Sequence, residues 1–171
     1  MLFINYCGKI IPADTAIEAA DNRGLKYGEG VFETLLFENG KTSFFEDHYS
    51  RLRKGMELLL LDSKVLADAE KLLQEIRALL EKNNQSSAKV RLQVYRGEGR
   101  TQVESPTYYN ITTAPAPDAA TKKGLRLTFY KDANKSIDNF SNLKHCNYLC
   151  YAMGMKHAVS NRSEEHTSEL Q

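Results

Sequence analysis

The 171-residue sequence has no tryptophan and only three cysteines and four prolines. An odd, small number of cysteines does not build a disulfide framework and favours a reducing compartment. The longest uninterrupted run of aliphatic side chains spans residues 58–61, whereas a membrane-spanning helix needs about 18 consecutive apolar residues. The N-terminal segment MLFINYCGK also lacks the charged-then-apolar layout of a signal peptide. We therefore expect a cytoplasmic protein that does not enter a membrane.

The sequence also lacks an excess of charge of either sign. It carries 23 basic and 22 acidic side chains, for a net charge of +1. This balance indicates neither a nucleic-acid partner nor an anionic membrane surface. With 26% charged and 42% hydrophobic residues, the composition is that of a globular protein and excludes a disordered or collagen-like chain. The length suffices for one domain or two small ones.

The first part of the chain predicts two β-hairpins. Short β-type runs at residues 2–6 and 9–11 flank Cys7-Gly8. Runs at 31–38 and 41–45 flank Asn39-Gly40, a pair that tolerates the positive φ angles of a type I′ turn. Between the hairpins, turn-forming residues place 25–27 in a tight connection.

Two amphipathic helices follow at residues 46–61 and 65–82, because apolar side chains recur there at helical spacing. The side chains expected on the buried faces are Leu52, Met56, Leu59 and Leu60 in the first helix, and Leu66, Ala69, Leu72, Leu73, Ile76, Leu79 and Leu80 in the second. Strands are expected next at 90–95 and 107–113.

This order of elements predicts an α+β fold: a small N-terminal domain, residues 1–113, with an antiparallel sheet and two helices. A linker at 114–120 follows, with its Ala/Pro-rich stretch. Residues 121–161 offer one strand, at 125–130, and one helix, at 148–159, which is too little apolar material for a core of its own. We expect this segment to be the beginning of a truncated second domain.

The last ten residues, 162–171, have the sequence RSEEHTSELQ and no apolar periodicity. They match one reading frame of a common sequencing-library adapter, AGATCGGAAGAGCACACGTCTGAACTCCAG. The alternative is a natural polar tail. We expect a foreign segment and exclude it from the fold.

Four local patterns could carry chemistry: YGEGVFET at 27–34, HYSRL at 48–52, RLQVYRG at 91–97 and SNLKHCNY at 141–148. Taken singly, each is more typical of a turn, a solvated helix face, a loop or a surface lysine. In this order and spacing they resemble the class-IV aminotransferases, fold-type IV enzymes that include branched-chain and D-amino acid aminotransferases and 4-amino-4-deoxychorismate lyases. The resemblance covers residues 1–161.

The resemblance implies pyridoxal 5′-phosphate (PLP) as the cofactor, with residues 121–161 as the start of the large PLP-binding domain. Lys144 matches the family lysine that forms a Schiff base with the cofactor aldehyde and then moves a proton between substrate and cofactor. Such an amine must be partly deprotonated, which desolvation and nearby positive charge favour. One side chain then serves both as nucleophile and as general base and acid.

Other residues receive roles from the same resemblance. Arg51 matches the arginine that contacts the cofactor phosphate, with His48 beside it. Phe32 stands where family members carry an aromatic residue near the substrate pocket, and its lack of a hydroxyl removes a hydrogen bond to substrate. Arg96 resembles an arginine that holds the substrate carboxylate in some members. Tyr148 resembles a tyrosine that reaches the cofactor's ring oxygen, although it could equally be a packing residue at the start of a helix.

The function implied is amino-group transfer between an amino acid and a 2-oxo acid, by a full-length protein that is a homodimer. The alternatives are 4-amino-4-deoxychorismate lyase activity, or an inactive fragment, since family members carry about as much chain again beyond the lysine. A metal site made by His145, Cys146, Cys150 and His157 is not expected, because these side chains do not converge on one helix face.

Overall fold

The structure, a computed structural model, describes residues 1–101, 104–117, 127–132 and 137–160. The chain divides into two compact units, described separately. The first comprises Met1–Pro117 with Lys144–Cys146, and the second comprises Asp118–Leu143 with Asn147–Gln171. The predicted foreign segment at 162–171 and part of the predicted linker, residues 118–120, lie outside the described residues.

The first unit contains a five-stranded antiparallel sheet in the order β2-β1-β5-β4-β3. Its strands are β1 (Phe3–Tyr6), β2 (Lys9–Pro12), β3 (Gly30–Phe37), β4 (Ala88–Arg96) and β5 (Thr107–Pro115). Its helices are α1 (Arg23–Tyr27), α2 (Phe45–Leu58) and α3 (Ala69–Lys82), with a 3₁₀ turn at Ser63–Val65. The expected α+β architecture is confirmed, and β3 forms one edge of the sheet.

The core of this unit lies between one face of the sheet and helices α2 and α3. Side chains alternate along a strand, and the register pairs Val31 with Val94 and Leu35 with Val90 on the inward face. The helices contribute the buried residues Leu52, Met56, Leu72, Ile76, Leu79 and Leu80. Each buried aliphatic side chain of this size contributes roughly 1.5–3 kcal/mol, so the sheet and both helices stabilise one another.

The Asn39-Gly40 turn forms as predicted, with φ angles of 50° and 73°. The second strand predicted at 41–45 is wrong, because only an isolated bridge between Glu38 and Lys41 follows the turn. Phe45 instead begins α2. The acidic residues Glu46 and Asp47 in the first turn favour a helix start here through the helix dipole.

The predicted ends of the two helices shift in the structure. Helix α2 ends at Leu58 rather than 61, and Leu60, expected to be buried, is 75% exposed with a φ of 53°. Leu61 is buried in its place. Helix α3 begins at Ala69 rather than 65, because the Asp68 side chain caps it by accepting from the N–H of Lys71 at 2.9 Å.

The second unit contains the helix α4 (Leu149–Ser160), close to the range predicted for it. The strand predicted at 125–130 is wrong in its described part, since residues 127–130 form no strand. All five strands in the described part of the chain belong to the first unit. Residues 127–130 therefore have no described strand in the second unit with which to pair. In the described parts of the chain, every helix is too short or too polar to cross a membrane.

Candidate active site

The segment Lys144–Cys146 lies along the open edge of β3. Val31 and His145 form an antiparallel bridge. The N–H of Phe32 donates to the carbonyl of Lys144 at 3.0 Å, and the N–H of Cys146 donates to the carbonyl of Gly30 at 2.8 Å. Lys144 is therefore held opposite Phe32 by main-chain pairing, although the two residues are far apart in sequence.

Close packing at Gly30 brings this segment against the sheet. A Cβ placed at Gly30 would lie 2.8 Å from the Val94 carbonyl oxygen and from Tyr95 Cβ, and 3.1 Å from Cys146 Sγ. Burial raises the pKa of the Cys146 thiol to about 11, with the positive charge of Arg91 acting weakly in the opposite direction. Only glycine fits at position 30 without displacing β4 or crowding the Cys146 side chain.

Two cations approach the ring of Phe32, which is only 4% exposed. The Nζ of Lys144 lies 4.7 Å from the ring centre, and the guanidinium carbon of Arg91 lies 3.7 Å from it. Such contacts stabilise a cation by roughly 0.5–1 kcal/mol, and by more where water is excluded. Arg91 pairs with Thr34 across β3 and β4, and this places it on the same face as Phe32.

The next residue of β3, Glu33, is 1% exposed and faces α2. Its carboxylate accepts from Arg51 through Nε at 2.5 Å and Nη2 at 2.6 Å. The Nδ1 of His48 lies 2.8 Å from the same carboxylate. His48 and Arg51 are three residues apart on α2 and so share one helix face. The hydrogen bonds that Arg51 donates to Glu33 raise the pKa of Arg51.

The structure thus links Lys144 and Arg51 to adjacent residues of β3, whose side chains point to opposite faces of the strand. Lys144 pairs with Phe32, while Arg51 and His48 bind Glu33. None of the sequence patterns assigns a role to Glu33 or to Arg91. The signal for Glu33 was present: a carboxylate stands at an inward position of an alternating strand, where it needs a buried partner.

Arg96, expected near the substrate, is 3% exposed at the end of β4. Its Nη2 donates to the carbonyls of Leu59 at 2.7 Å and Leu60 at 3.0 Å, and its Nε lies 3.0 Å from the Glu29 carboxylate. These contacts hold the end of α2 to the sheet. The predicted contact of Arg96 with a substrate carboxylate stays a prediction.

Tyr148, expected near the cofactor, belongs to the second unit, where its ring stacks on that of Tyr151 at 4.7 Å. Its contact with the cofactor stays a prediction. Among the described residues, no group of three or more His, Cys, Asp or Glu side chains is arranged to hold a metal ion.

Comparison with known proteins places the chain in a family. The sequence model described as amino-transferase class IV matches residues 30–166, which include Phe32, Glu33, Arg51 and Lys144. The chain belongs to the class-IV aminotransferases. The resemblance inferred from the four sequence patterns is confirmed.

Curated relatives in this family are aminotransferases. A putative branched-chain-amino-acid aminotransferase of Methanocaldococcus jannaschii is 27% identical over 148 residues, which are 83% of this chain and 50% of the relative. A D-alanine aminotransferase of Staphylococcus epidermidis is 27% identical over 106 residues, which are 62% of this chain and 36% of the relative. The chain spans half or less of the length of these relatives.

Solved class-IV structures share the fold. The branched-chain aminotransferase of Escherichia coli superimposes with a TM-score of 0.76 at 19% identity, covering 96% of this chain and 58% of that one. An aminotransferase of Mycobacterium tuberculosis in its PLP-bound form has a TM-score of 0.74 at 19% identity, with 94% and 59% covered. A putative 4-amino-4-deoxychorismate lyase of Legionella pneumophila has a TM-score of 0.72 at 19% identity, with 88% and 56% covered. The comparisons indicate PLP as the cofactor of the family.

Proposed function

We propose that the natural full-length protein transfers an amino group between an amino acid and a 2-oxo acid, with PLP attached to Lys144 through a Schiff base. The observation that carries this proposal is the position of Lys144, whose backbone pairs with Phe32 and whose amine lies 4.7 Å from the Phe32 ring. Phe32 is the neighbour in β3 of Glu33, the residue that holds Arg51. Family membership supports the class of reaction.

The residues present fit an aldehyde cofactor that carries a phosphate. Lys144 supplies a half-buried primary amine. Arg51 supplies a planar, permanently charged guanidinium whose side chain is 45% exposed, so its head can meet a ligand. The buried Glu33 holds that guanidinium in place. When bound, PLP would supply the electron sink that the protein's own side chains lack.

The chain's own residues would position and move the proton. Lys144 Nζ accepts a proton from the α-carbon of the bound amino acid and later returns one, which requires the neutral amine. Two groups lie around this step: the Phe32 ring is 4.7 Å from the Lys144 Nζ, and the Arg91 guanidinium is 3.7 Å from the same ring. Phe32 also excludes water from one side of the amine.

The substrate contacts of Phe32 and Arg96, and the cofactor contact of Tyr148, belong to the same proposal. The buried Phe32 ring supports the first, because an apolar surface beside the amine suits the hydrocarbon part of an amino acid. For Arg96, the bonds to Glu29 and to the carbonyls of Leu59 and Leu60 support a second role, which is to hold this part of the fold together.

The alternative activity is that of a 4-amino-4-deoxychorismate lyase, which the likeness to the Legionella structure favours. Both reactions begin with the same proton abstraction by Lys144. They differ in whether product formation depends on a 2-oxo acid as acceptor or releases pyruvate without one. Pyruvate release without an added acceptor, measured on the full-length protein, would favour the lyase.

A labelling experiment tests cofactor attachment in this chain. The purified protein is mixed with PLP, its visible absorbance is recorded, and the adduct is reduced with borohydride and located by peptide mass spectrometry. We expect a visible band and an adduct on Lys144, both absent from Lys144→Ala. Lys71→Ala, which removes an exposed amine on α3, is the matched control and should label normally. Absence of any adduct in the wild type would favour the inactive-fragment alternative.

Two further parts of the proposal concern the whole protein, which we take to be a cytoplasmic homodimer longer than this chain. The partial coverage of its relatives supports the additional length. Sequencing of the natural gene beyond codon 161 and light scattering of the full-length product test these points.

A further inference from the structure

We propose that Glu33 is a positioning residue that selects which edge of the Arg51 guanidinium meets a phosphate monoester. This inference rests on the proposed function, in which Arg51 binds the cofactor phosphate. Glu33 is almost completely buried, and both of its carboxylate oxygens bind Arg51, one through Nε and the other through Nη2. A bidentate pair of this kind fixes the orientation of the guanidinium plane as well as its position.

Glu33 occupies only part of the Arg51 guanidinium. A guanidinium has five N–H donors, of which Nε carries one and each Nη carries two. Glu33 takes the Nε donor and one Nη2 donor. Among the described residues, the Nη1 group of Arg51 makes no hydrogen bond to protein. Three donors remain, two on Nη1 and one on Nη2, and the edge that they form is therefore the part of Arg51 that Glu33 presents to a ligand.

His48 adds to the same arrangement. Its Nδ1 lies 2.8 Å from the Glu33 carboxylate, and it donates to that carboxylate in the tautomer that carries the hydrogen on Nδ1. Since Nδ1 is then a donor, its 3.3 Å approach to Arg51 Nη2 is not a hydrogen bond. Glu33 thus binds both His48 and Arg51 on α2 and restricts the rotamers of both side chains.

Two physical effects of Glu33 on phosphate binding oppose each other. Its negative charge lies beside the cation, so Coulomb's law alone predicts that removing the charge strengthens anion binding. The hydrogen bonds of Glu33 also hold the long, half-exposed Arg51 side chain in one rotamer. Without them, phosphate binding must itself order that side chain, and the entropy lost lowers the affinity. The positioning role therefore predicts that removing the Glu33 carboxylate weakens phosphate binding. The sign of the change distinguishes the two effects.

The test compares ligands with and without the phosphate. The full chain and Glu33→Gln are titrated with PLP and with pyridoxal, which lacks the phosphate. We expect Glu33→Gln to raise the Kd for PLP about tenfold and to leave that for pyridoxal unchanged, a discrimination of about 1.4 kcal/mol. Glu75→Gln is the matched control: Glu75 is a half-buried carboxylate that accepts from Tyr109 at 2.8 Å, and its replacement should change neither constant.

A second readout does not depend on the cofactor. The side-chain Nε–H of Arg51, assigned from its loss in Arg51→Lys, should show slow hydrogen exchange by NMR in the wild type and fast exchange in Glu33→Gln. A variant that removes only one partner of the Glu33–Arg51 pair leaves the other charge unpaired, which can prevent folding. The double variant Glu33→Gln/Arg51→Gln removes both charges and avoids this problem. Its Kd for PLP should equal that of Arg51→Gln alone, because the effect of Glu33 on the phosphate passes through Arg51.

Three results would overturn the positioning role: equal or tighter PLP binding by Glu33→Gln, a parallel loss of pyridoxal binding, or unchanged protection of the Arg51 Nε–H. Failure of the wild type to bind PLP, with protection that still depends on Glu33, would overturn the proposed cofactor function for this chain and support the positioning role. The two failures are therefore distinguishable.

Discussion

Phe32 contacts Lys144 through both its backbone and its ring. The Phe32 N–H donates to the Lys144 carbonyl at 3.0 Å, and the Lys144 Nζ lies 4.7 Å from the centre of the Phe32 ring. One edge-strand residue thus sets the main-chain position of the proposed nucleophile and part of the surroundings of its amine. Perturbing this edge should displace the amine without changing its chemistry.

Gly30→Ala should destabilise the first unit and lower the labelling of Lys144 by PLP. The added methyl would lie 2.8 Å from backbone and Cβ atoms of β4, and overpacking of this kind costs roughly 1–3 kcal/mol. Urea unfolding measures the change in the free energy of unfolding. Gly154→Ala is the control, since its methyl would meet only Tyr130 at 3.7 Å. Wild-type stability and labelling in Gly30→Ala would contradict the account of this edge.

Arg96→Lys should lower the free energy of unfolding by roughly 1–3 kcal/mol, because the carbonyls of Leu59 and Leu60 lose the buried guanidinium that binds them. Glu29 also loses one of its two cationic partners, the other being Arg23. A role confined to the substrate predicts no change in stability. Denaturant unfolding separates the two cases. Arg77→Lys, at an exposed position of α3, should stay within about 0.5 kcal/mol of the wild type.

The Cys146 thiol should react slowly with iodoacetamide at pH 8. Burial raises its pKa from 9.0 to about 11, so its thiolate fraction is about a hundredfold smaller than that of an ordinary thiol. Mass spectrometry of the alkylated peptides measures this against Cys150, which is exposed. Equal rates for the two thiols in the folded protein would contradict the prediction, and urea should equalise them.

The same pKa shift predicts an alkaline loss of stability. The folded state binds the Cys146 proton more tightly than the unfolded state does, so this contribution is complete below about pH 9 and is lost as the pH rises through about 11. Cys146→Ser should reduce this part of the decline in the free energy of unfolding between those pH values. An unchanged slope in the serine variant would argue against it.

Asp68→Ala should cost about 1 kcal/mol, because it removes the acceptor for the Lys71 N–H at the start of α3. Asp68→Asn retains a side-chain oxygen and should keep most of that stability. Thermal unfolding followed by circular dichroism compares the variants. Equal melting temperatures for Asp68→Ala and the wild type would show that this cap contributes nothing.

Local patterns predicted most of the first unit because each depends on neighbouring residues. Alternation and turn chemistry located the strands, and the Asn39-Gly40 turn has the positive φ angles that its residues tolerate. The errors lie at boundaries, where two local preferences compete. Phe45 is apolar enough for a strand, yet it begins a helix, and Leu60 continues a helical pattern after the helix has ended.

For the site, the sequence by itself determined the family and the residue types, since the spacing of four motifs around Phe32, Arg51, Arg96 and Lys144 is a property of the chain alone. It did not reveal the pairing of Glu33 with Arg51 or the approach of Arg91 to Phe32. Those contacts join β3 to α2 and β4. Only the tertiary structure decided them, because a buried carboxylate or a ring beside a cation acquires its partner when distant segments pack together.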